Sequence, residues 1–278
     1  MGQLLGLDGV LFQIVNTLDF QPMKVIVGIL LSLSLVLSCS KNDRAPGPII
    51  RIDDDFNIIV WEDLQEASRD IQLVLTTNKA LDCENYLIDY TTEISSSKII
   101  LEINGVIPPT ICQGISGFPI DTISLGDLES GTYAFEILIG GEIHNLGTFE
   151  VSDSMIKSFF YTTNGFSVEN ENLSRIPYDL LWGTIHYNNG SSQVADSLLI
   201  DLLELDNGKA IPAGNYGYFS LANDEVSLPT ENQSSNTKSF AFRTDVESSI
   251  IASLVNTYRA NHPNEIQILV WNGKGTEF

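Results

Sequence analysis

Short runs of alternating apolar and polar residues are the main pattern in the first half of the chain. Residues 131–139 alternate, as a strand with one buried face should, and Gly140, Gly141 and Asn145 can supply the turn before a second run at 146–151. Clusters of Asn, Gly, Pro or Ser bound further runs of this kind, at 71–76, 86–90 and 98–103. The pattern predicts β-strands, and the first pair of runs predicts a hairpin.

The second half combines strand-like runs with one helical stripe. Apolar residues recur at helical spacing over 245–260, Thr244 can cap the start, and His262 with Pro263 ends the pattern. The stripe consists of Val246, Ile250, Ile251, Leu254, Val255 and Tyr258. The strand-like runs are 180–187, 195–205, 215–220, 238–243 and 265–271. We therefore predict a mainly β fold with one helix packed on a sheet as part of the core.

An apolar run near the N-terminus has the character of an export signal. Lys24 precedes the apolar stretch 25–37, and Ser38 precedes Cys39. A membrane-spanning helix needs about 20 residues, so the stretch is short for a span. We interpret 23–38 as a signal peptide, with a membrane anchor or a buried helix as the alternatives.

Two further segments flank this signal. Residues 1–22 carry only the acids Asp8 and Asp19, whereas a signal begins with positive charge. They are either an over-extended start, with Met23 as the true initiator, or a leader with a role of its own. Residues 39–50 contain Pro and Gly without an apolar period, which predicts a tether.

The residues around Cys39 resemble the lipobox of bacterial lipoproteins, in which the cysteine thiol is diacylated and becomes the new N-terminus. Ser40, Lys41 and Asp43 follow it, and they are similar to the Lys-acid motif of surface lipoproteins of the Bacteroidota. This resemblance implies a lipid on Cys39, a place in the outer membrane and display at the cell surface.

Net charge limits the partners. The whole chain carries −22, and residues 1–38 contribute −1 through Asp8, Asp19 and Lys24, which leaves −21 for residues 39–278. Phosphate binding needs clustered Lys and Arg, so nucleic acid is not a predicted partner. The same charge argues against a basic patch for anionic lipid, so membrane attachment should be covalent.

The chain contains three cysteines, of which one is assigned to lipid and two can pair with each other. With Cys39 assigned to lipid, Cys83 and Cys112 remain as a pair in an exported chain, which predicts a disulfide between them. Two buried free thiols are the alternative. A zinc site has less support, because no CxxC or suitably spaced His accompanies the pair.

An immunoglobulin-like resemblance extends over residues 82–152. Asp82-Cys83 is followed by a strand at 99–103, by 105–112 ending in Cys112, and by the motif LGxLxxGTY at 125–133. This order resembles an immunoglobulin-like β-sandwich common in Bacteroidota lipoproteins, and it implies a fold without implying chemistry. We place the immunoglobulin-like sandwich at 51–155 and a second β-rich domain at 156–278.

Residues 209–218 are similar to the Pro-Ala-Gly turn-and-strand element of β-rich, calycin-like lipoprotein domains. The likeness favours an antiparallel barrel or sandwich for the second domain. Pro212 fixes φ, Gly214 can admit a left-handed conformation, and Tyr216 and Tyr218 should then share one face of a strand.

Catalytic motifs are absent from the sequence. His144 in a turn, His186 in a strand and His262 in a helix-ending loop form no HExxH or similar spacing, and GxSxG, Walker A and GxGxxG are missing. The acid clusters 53–55 and 62–63 lack the EF-hand pattern, and we interpret them as solvated charge runs. We predict no catalytic residue, metal or cofactor. A hydrolase with two acids brought together by folding stays open.

Aromatic residues in the predicted strands give one functional hint. If these residues are exposed on a sheet, they could stack on sugar rings, and if they are buried, they form part of the core. The five residues are Trp182, Tyr187, Tyr216, Tyr218 and Trp271. The period of two places Trp182 and His186 on one face of their strand and Tyr187 on the other.

Three short motifs resemble the Asp-Ser/Thr-apolar acceptor for protein O-glycosylation in the Bacteroidota. Their hydroxyl residues are Thr122, Ser154 and Ser197. The resemblance implies modification at the cell surface, and so short a pattern also recurs by chance.

The sequence therefore supports three functional hypotheses. The first is a non-enzymatic cell-envelope lipoprotein that binds a surface partner or takes part in a surface assembly, attached to the membrane by lipid. The second is a glycan-binding accessory protein that uses the aromatic residues. The third is the hydrolase with a non-local carboxylate pair.

Overall fold

The computed structural model describes residues 56–66, 68–206, 208–229 and 236–278. The strands in these ranges are β1 (Phe56–Leu64), β2 (Arg69–Thr77), β3 (Leu87–Ile94), β4 (Lys98–Ile107), β5 (Ile120–Gly126), β6 (Gly131–Ile139), β7 (Ile143–Val151), β8 (Met155–Phe160), β9 (Phe166–Glu169), β10 (Asn172–Ser174), β11 (Leu180–Tyr187), β12 (Gly214–Asn215), β13 (Ser220–Ala222), β14 (Glu225–Ser227), β15 (Thr237–Arg243) and β16 (Ile266–Asn272). The helices are α1 (Ser192–Glu204) and α2 (Ser248–Asn261). The mainly β prediction is confirmed. The predicted signal peptide at 23–38, Cys39, the tether and the acids 53–55 lie outside the described residues.

Two sheets enclose the largest core. Their strand orders are β5-β2-β1-β9 and β10-β8-β7-β6-β4-β3. Neighbours are antiparallel apart from the parallel pairs β1 with β9 and β4 with β6. Along β2, Ile71, Leu73 and Leu75 are buried and alternate with half-buried residues, because one face of the strand lies against the core. The two sheets are therefore held together by inward-facing apolar side chains.

The two ends of these sheets differ in what they contact. At one end Phe56 pairs with Thr77 and with Phe166, and we name it the Phe56 end. At the opposite end Leu64 pairs with Arg69, and we name it the Leu64 end. The Leu64 end contacts the C-terminal part of the chain, since Leu64 belongs to the same core cluster as residues of β11 and β13.

Part of the sheet pair comes from beyond the predicted boundary at residue 155. β8 lies beside β7, β9 beside β1, and β10 beside β8. Leu173 of β10 and Phe166 of β9 are buried in the same core as β2. The assignment of all residues after 155 to the second domain was therefore wrong for these three strands, while the division into two domains stays a prediction.

The hairpin of β6 and β7 is confirmed. Gly140 and Gly141 form its turn with φ of 62° and 70°, a region open to glycine at little cost. Asn145 is not a turn residue: it is buried in β7, donates to the carbonyl of Asn164 and accepts from Thr162 Oγ1 and the Asn164 amide. Its amide fixes the loop that leads to the Phe56 end.

A second core lies between a three-stranded sheet and the two helices. The sheet order is β15-β11-β16, all antiparallel, and the helices contribute Ala195, Leu198, Leu202, Ile251 and Val255 to this core. The predicted helix near 245–260 is confirmed as α2, and its end at His262 is also confirmed. Thr244 does not cap it, because Thr244 Oγ1 accepts from the Val246 amide and Glu247 occupies the cap position.

Helix α1 corrects the strand predicted at 195–205. Its buried residues Ala195, Leu198 and Leu202 are three and four positions apart, which is the spacing of one helix face. The run 195–205 is longer than most strands and has the length of a helix, so its length was a signal that the strand prediction did not use. The 13 residues of α1 bury a stripe that two-residue alternation would have split between both faces.

The segment predicted as a strand at 215–220 is mostly a turn. β12 ends at Asn215 and pairs with β13, which begins at Ser220, in a small sheet of order β12-β13-β14. Gly217, not Gly214, has the positive φ, at 78°. Gly214 leaves room for Ser174, because a Cβ there would meet the Oγ of Ser174 and the hydroxyl would have to move. Tyr216 and Tyr218 therefore do not share a strand face.

The predicted disulfide between Cys83 and Cys112 is confirmed, with the Cα atoms 5.5 Å apart. It joins the β2–β3 connection to the loop after β4.

In the described ranges, neither helix has the length and apolar character that crossing a membrane requires.

Candidate functional site

Four of the five aromatic residues predicted for glycan stacking pack together at the Leu64 end. Trp182 stacks on Trp271 with ring centroids 4.7 Å apart and contacts Tyr218 at 5.4 Å. Tyr218 also contacts Trp61 of β1 at 4.5 Å, and Tyr216 stacks on Phe219 at 4.9 Å. We name the set the junction cluster: Trp61, Trp182, Tyr216, Tyr218, Phe219 and Trp271.

Burial determines the chemistry of the junction cluster. Trp182 and Tyr216 are each only 5% exposed, and desolvation raises the pKa of Tyr216 and of Tyr218. Tyr216 donates to the Pro212 carbonyl, and Tyr218 Oη accepts from the Leu64 amide. These rings join the sheet pair to the C-terminal part of the chain and leave little face for a sugar.

Tyr187 is the exception among the five. It lies at the end of β11 on the face of Leu181 and Ile185, whereas Trp182 belongs to the junction cluster, so the predicted division of faces is confirmed for these residues. A cleft of about 540 Å³ opens beside it, within the range of ligand sites. We name it the Tyr187 cleft; its lining is His186, Tyr187, Asn188, Asn236, Pro263, Asn264, Glu265, Ile266 and Gln267.

Three strand ends form the Tyr187 cleft. Tyr187 pairs with Ile266 of β16, and its amide donates to the Asn236 carbonyl just before β15. The Asn188 amide donates to the Glu265 carbonyl, which closes the floor. His186 Nδ1 lies 2.8 Å from Thr237 Oγ1, so this imidazole is held on β15.

The lining combines an aromatic ring with side-chain amides. Asn188, Asn236, Asn264 and Gln267 each carry both hydrogen-bond donors and an acceptor. Asn264 and Gln267 are exposed. Within the lining Glu265 is the single acid, and Lys and Arg do not occur. Lys238 Nζ lies over the Tyr187 ring, 6.0 Å from its centroid, and is paired with Asp196. Such a surface suits a neutral ligand rich in hydroxyl groups, because this neighbouring cation already has an acid as its partner.

Electrostatics keep Glu265 ionised. Its Oε1 lies 2.9 Å from His262 Nδ1, and its Oε2 accepts from Ser191 Oγ. The hydrogen bond from His262 lowers the pKa of Glu265. An ionised carboxylate at the rim can accept a hydrogen bond from a ligand hydroxyl.

A buried ion triad lies at the Leu64 end, where the sequence predicted a solvated charge run. Glu62 is 4% exposed, and its Oε1 lies 2.7 Å from Arg175 Nε and 3.5 Å from Arg69 Nη1. Arg69 also donates to the Gly273 carbonyl and lies over the Tyr178 ring. Glu62 lies on the inner face of β1, so the predicted exposure was wrong for this residue.

A second cleft, of about 420 Å³, contains the acids Asp179, Asp245 and Glu247. Arg243 contacts Asp179 through Nε at 2.8 Å and Nη2 at 2.7 Å, and this contact lowers the pKa of Asp179. Lys209 pairs with Asp245 at 3.0 Å. A glycosidase acid needs a raised pKa, so Asp179 has the opposite property. The hydrolase hypothesis gains no support from this cleft.

His144 and the three hydroxyl residues predicted for O-glycosylation lie outside these sites. His144 lies in β7, not in the turn, because the strand begins at Ile143; its Nδ1 lies 3.4 Å from Glu136. The hydroxyl residues predicted for O-glycosylation are all exposed: Thr122 on edge strand β5, Ser154 between β7 and β8, and Ser197 on α1. Their glycosylation stays a prediction. Across the described ranges, no group of three or more His, Cys, Asp or Glu is placed to hold a metal.

Sequence reasoning missed the polar half of the Tyr187 cleft and the ion triad. Asn188, Asn236 and Asn264 lie in three separate loops, and only the pairing of β11 with β15 and β16 brings them together. The one available signal was an Asn next to each strand: Asn188 follows β11, and Asn236 and Asn264 precede β15 and β16. For Glu62, the alternation along β1 was a signal, since it continues the buried positions Ile58 and Val60.

Comparison with protein-family models, with curated proteins and with solved structures finds no match to this chain.

Proposed function

We propose that this protein is a non-enzymatic cell-envelope lipoprotein, anchored by lipid on Cys39 and displayed at the outer membrane, where it binds a surface partner. The observation that carries the proposal is the apolar run that ends in Ser38-Cys39. The disulfide between Cys83 and Cys112 supports it, because such bonds persist in exported proteins. The acidic net charge argues against attachment by a basic patch.

We further propose that the sheet pair is an immunoglobulin-like sandwich. Two sheets that share a core and the LGxLxxGTY motif at 125–133 support this assignment. The parallel pairs β1 with β9 and β4 with β6 depart from the antiparallel sheets of that fold. The proposal therefore concerns a variant of the fold with added strands.

Replacing Cys39 by alanine should move the protein from the membrane fraction to the soluble fraction. The thiol is the acceptor of the diacyl group in the proposed maturation, and globomycin should block cleavage in the unchanged chain. Fractionation and intact mass measure both effects. The expected mass of the unchanged protein is that of residues 39–278 with a lipid.

A matched control is Ser38→Ala, which keeps a small residue before the cleavage site. This variant should fractionate and weigh like the unchanged protein, apart from the substitution itself. If Cys39→Ala leaves both fractionation and lipid mass unchanged, the anchor is not on this residue and the proposal is wrong.

A second candidate function is glycan binding in the Tyr187 cleft. The specific observation is a half-buried aromatic ring beside a cleft that is lined by amides and one carboxylate, without a Lys or Arg in the lining. Amides and carboxylates can pair with neighbouring hydroxyls, and an aromatic face can cover the apolar face of a sugar ring. Junction-cluster rings are packed too closely for the same role.

Tyr187→Ala and Gln267→Ala should each weaken binding of a glycan identified on an array by about tenfold, or about 1.4 kcal/mol. The first change removes the stacking surface, and the second removes an exposed amide without changing the core. Titration calorimetry measures the affinity. Tyr161→Ala is the matched control, because this tyrosine is 72% exposed and lies outside the cleft. An array without a hit, or equal affinity in all variants, would contradict the glycan hypothesis.

A further inference from the structure

Large apolar side chains protrude from one end of the sheet pair. Ile115 is 81% exposed, and Ile111 is 72% exposed, in the loop between β4 and β5. The neighbouring exposed residues are Leu87, Phe118 and Ile120. Exposed apolar residues gathered in this way mark a contact surface more often than isolated ones do. We name residues 108–120 the apolar loop.

The strand registers place the apolar loop at the Phe56 end. Ile120 pairs with Thr76, one residue before the partner of Phe56. Leu87 pairs with Ile107, where β4 runs into the loop. The C-terminal part of the chain contacts the opposite end of the same sheets, so the loop does not face it.

The apolar loop is held in place by covalent and hydrogen bonds. Cys112 is joined to Cys83, and the backbones of Leu81 and Gly117 exchange two hydrogen bonds of 2.8 and 3.1 Å. Asn85 donates to the Ile111 carbonyl and accepts from the Gln113 amide. A loop pinned at three points holds its apolar side chains toward solvent instead of collapsing on the core.

The loop itself carries no charge. Residues 103–120 contain no Asp, Glu, Lys or Arg, although the chain as a whole is 18% charged. Two exposed acids border it: Asp82 accepts from Tyr86 Oη, and the Glu84 carboxylate lies against Gly114. A charged side chain is costly in hydrocarbon, so an uncharged loop suits a bilayer. A protein partner for this acidic chain would be expected to use charge complementarity, which the loop does not offer.

The chain from the proposed lipid anchor enters the sheets at the same end. It reaches the described sheets at Phe56, and 17 peptide steps separate Cys39 from Phe56, which span at most about 60 Å. A lipid on Cys39 is therefore joined to the sheets through the end that carries the apolar loop. The Leu64 end lies about 27 Å further along the eight steps of β1.

We propose that the apolar loop is a membrane-contact surface, which inserts Ile111, Ile115 and Phe118 into the interfacial region of the bilayer that carries the anchor. This inference rests on the proposed lipidation of Cys39. Membrane attachment is stable when two signals act together, and the loop is the second signal beside the acyl chains. The contact orients the Tyr187 cleft and the rest of the C-terminal part away from the membrane.

Quenching by brominated lipid tests the contact directly. The full mature chain, purified with its lipid, is reconstituted in phosphatidylcholine vesicles with or without bromine on the acyl chains. The tryptophan introduced by Ile115→Trp should lose about half of its added fluorescence with bromine. The tryptophan introduced by Ile200→Trp, on α1 at a position 52% exposed, should lose none. The unchanged chain supplies the background of its three tryptophans.

The outcomes separate the inference from the proposed function. The intact mass of the same preparation shows whether Cys39 carries the lipid, independently of the loop. A lipidated chain with equal, weak quenching at both positions overturns the contact surface and leaves the anchor standing. Quenching at Ile115→Trp without a lipid mass supports the contact surface and overturns the anchor. If neither the quenching nor the lipid mass is found, both the contact surface and the anchor are overturned.

The molar mass in solution tests whether a second copy of the chain covers the apolar loop instead of the membrane. If the Cys39→Ala chain dimerises and Ile111→Ser with Ile115→Ser makes it monomeric, a second copy covers the loop and the membrane inference is wrong. If the chain is monomeric, these two changes should lower its flotation with phosphatidylcholine vesicles about tenfold. Both side chains are mostly exposed, so the variants should melt like the parent chain.

Discussion

Glu62→Gln should lower the free energy of unfolding by about 3 to 5 kcal/mol, because it leaves two buried guanidinium groups without a counter-charge. Glu62 and Arg69 are each 4% exposed and Arg175 is 11% exposed, so water cannot replace the lost partner. The amide keeps the size of the carboxylate, and the expected loss therefore reports charge, not a cavity. Urea unfolding followed by circular dichroism measures it.

An exposed ion pair of the same chain supplies the control. Lys209 and Asp245 lie 3.0 Å apart and are 61% and 70% exposed. Asp245→Asn should change stability by less than about 1 kcal/mol, since water and salt screen exposed pairs. Equal effects of Glu62→Gln and Asp245→Asn would show that burial of the triad contributes nothing.

The position of the triad gives it a second consequence. Glu62 and Arg69 come from β1 and β2, Arg175 follows β10, and Gly273 follows β16. Removing the acid should therefore loosen the contact between the sheet pair and the C-terminal part. Hydrogen exchange should rise first at the residues around Gly273.

Local periodicity accounts for what the sequence could predict of the fold. The hairpin of β6 and β7 alternates with period two and turns at two glycines, so its neighbours in sequence are also its neighbours in space. Helix α2 contains five of the six predicted stripe positions and has a Pro after its end, although Val246 precedes the helix and Ile250 is 48% exposed. Helix α1 was missed because the length of its Leu-rich run was not used.

Long-range pairing accounts for what could not be predicted. The partners of Glu62 are Arg69, seven residues away, and Arg175, which follows β10 of the other sheet, and no local pattern shows that they meet. In the same way, the order of the strands decided that Trp182 and Trp271 stack on each other while Tyr187 borders a cleft. Sequence identified the residue type for a site and could not assign its exposure.

The cysteine pair shows the opposite case. Counting cysteines in a chain predicted to be exported gave the bridge between Cys83 and Cys112 without knowledge of any strand. The apolar loop that this bridge holds was not predicted, because a run of Ile, Phe and Pro in sequence resembles core as much as surface.

Replacing both cysteines by alanine should lower the free energy of unfolding by about 3 to 4 kcal/mol, on the model in which a bridge restricts the unfolded chain. The bridge spans a sequence separation of 29 residues, which sets the size of the loop that it closes. The backbone pair of Leu81 with Gly117 and the bonds of Asn85 should keep the native loop in place. The loss should therefore arise in the unfolded state and also appear as a larger dependence on urea concentration.

Thr110→Ala in the same loop is the control, because it alters an exposed residue and leaves the bridge intact; it should change stability by less than about 0.5 kcal/mol. Reduction of the unchanged chain should reproduce the effect of the double replacement, since both remove the same constraint. If the reduced, the doubly replaced and the oxidised chains unfold at the same urea concentration, the bridge does not stabilise the fold. If the loss appears without a change in urea dependence, the bridge acts on the native loop instead of on the unfolded chain.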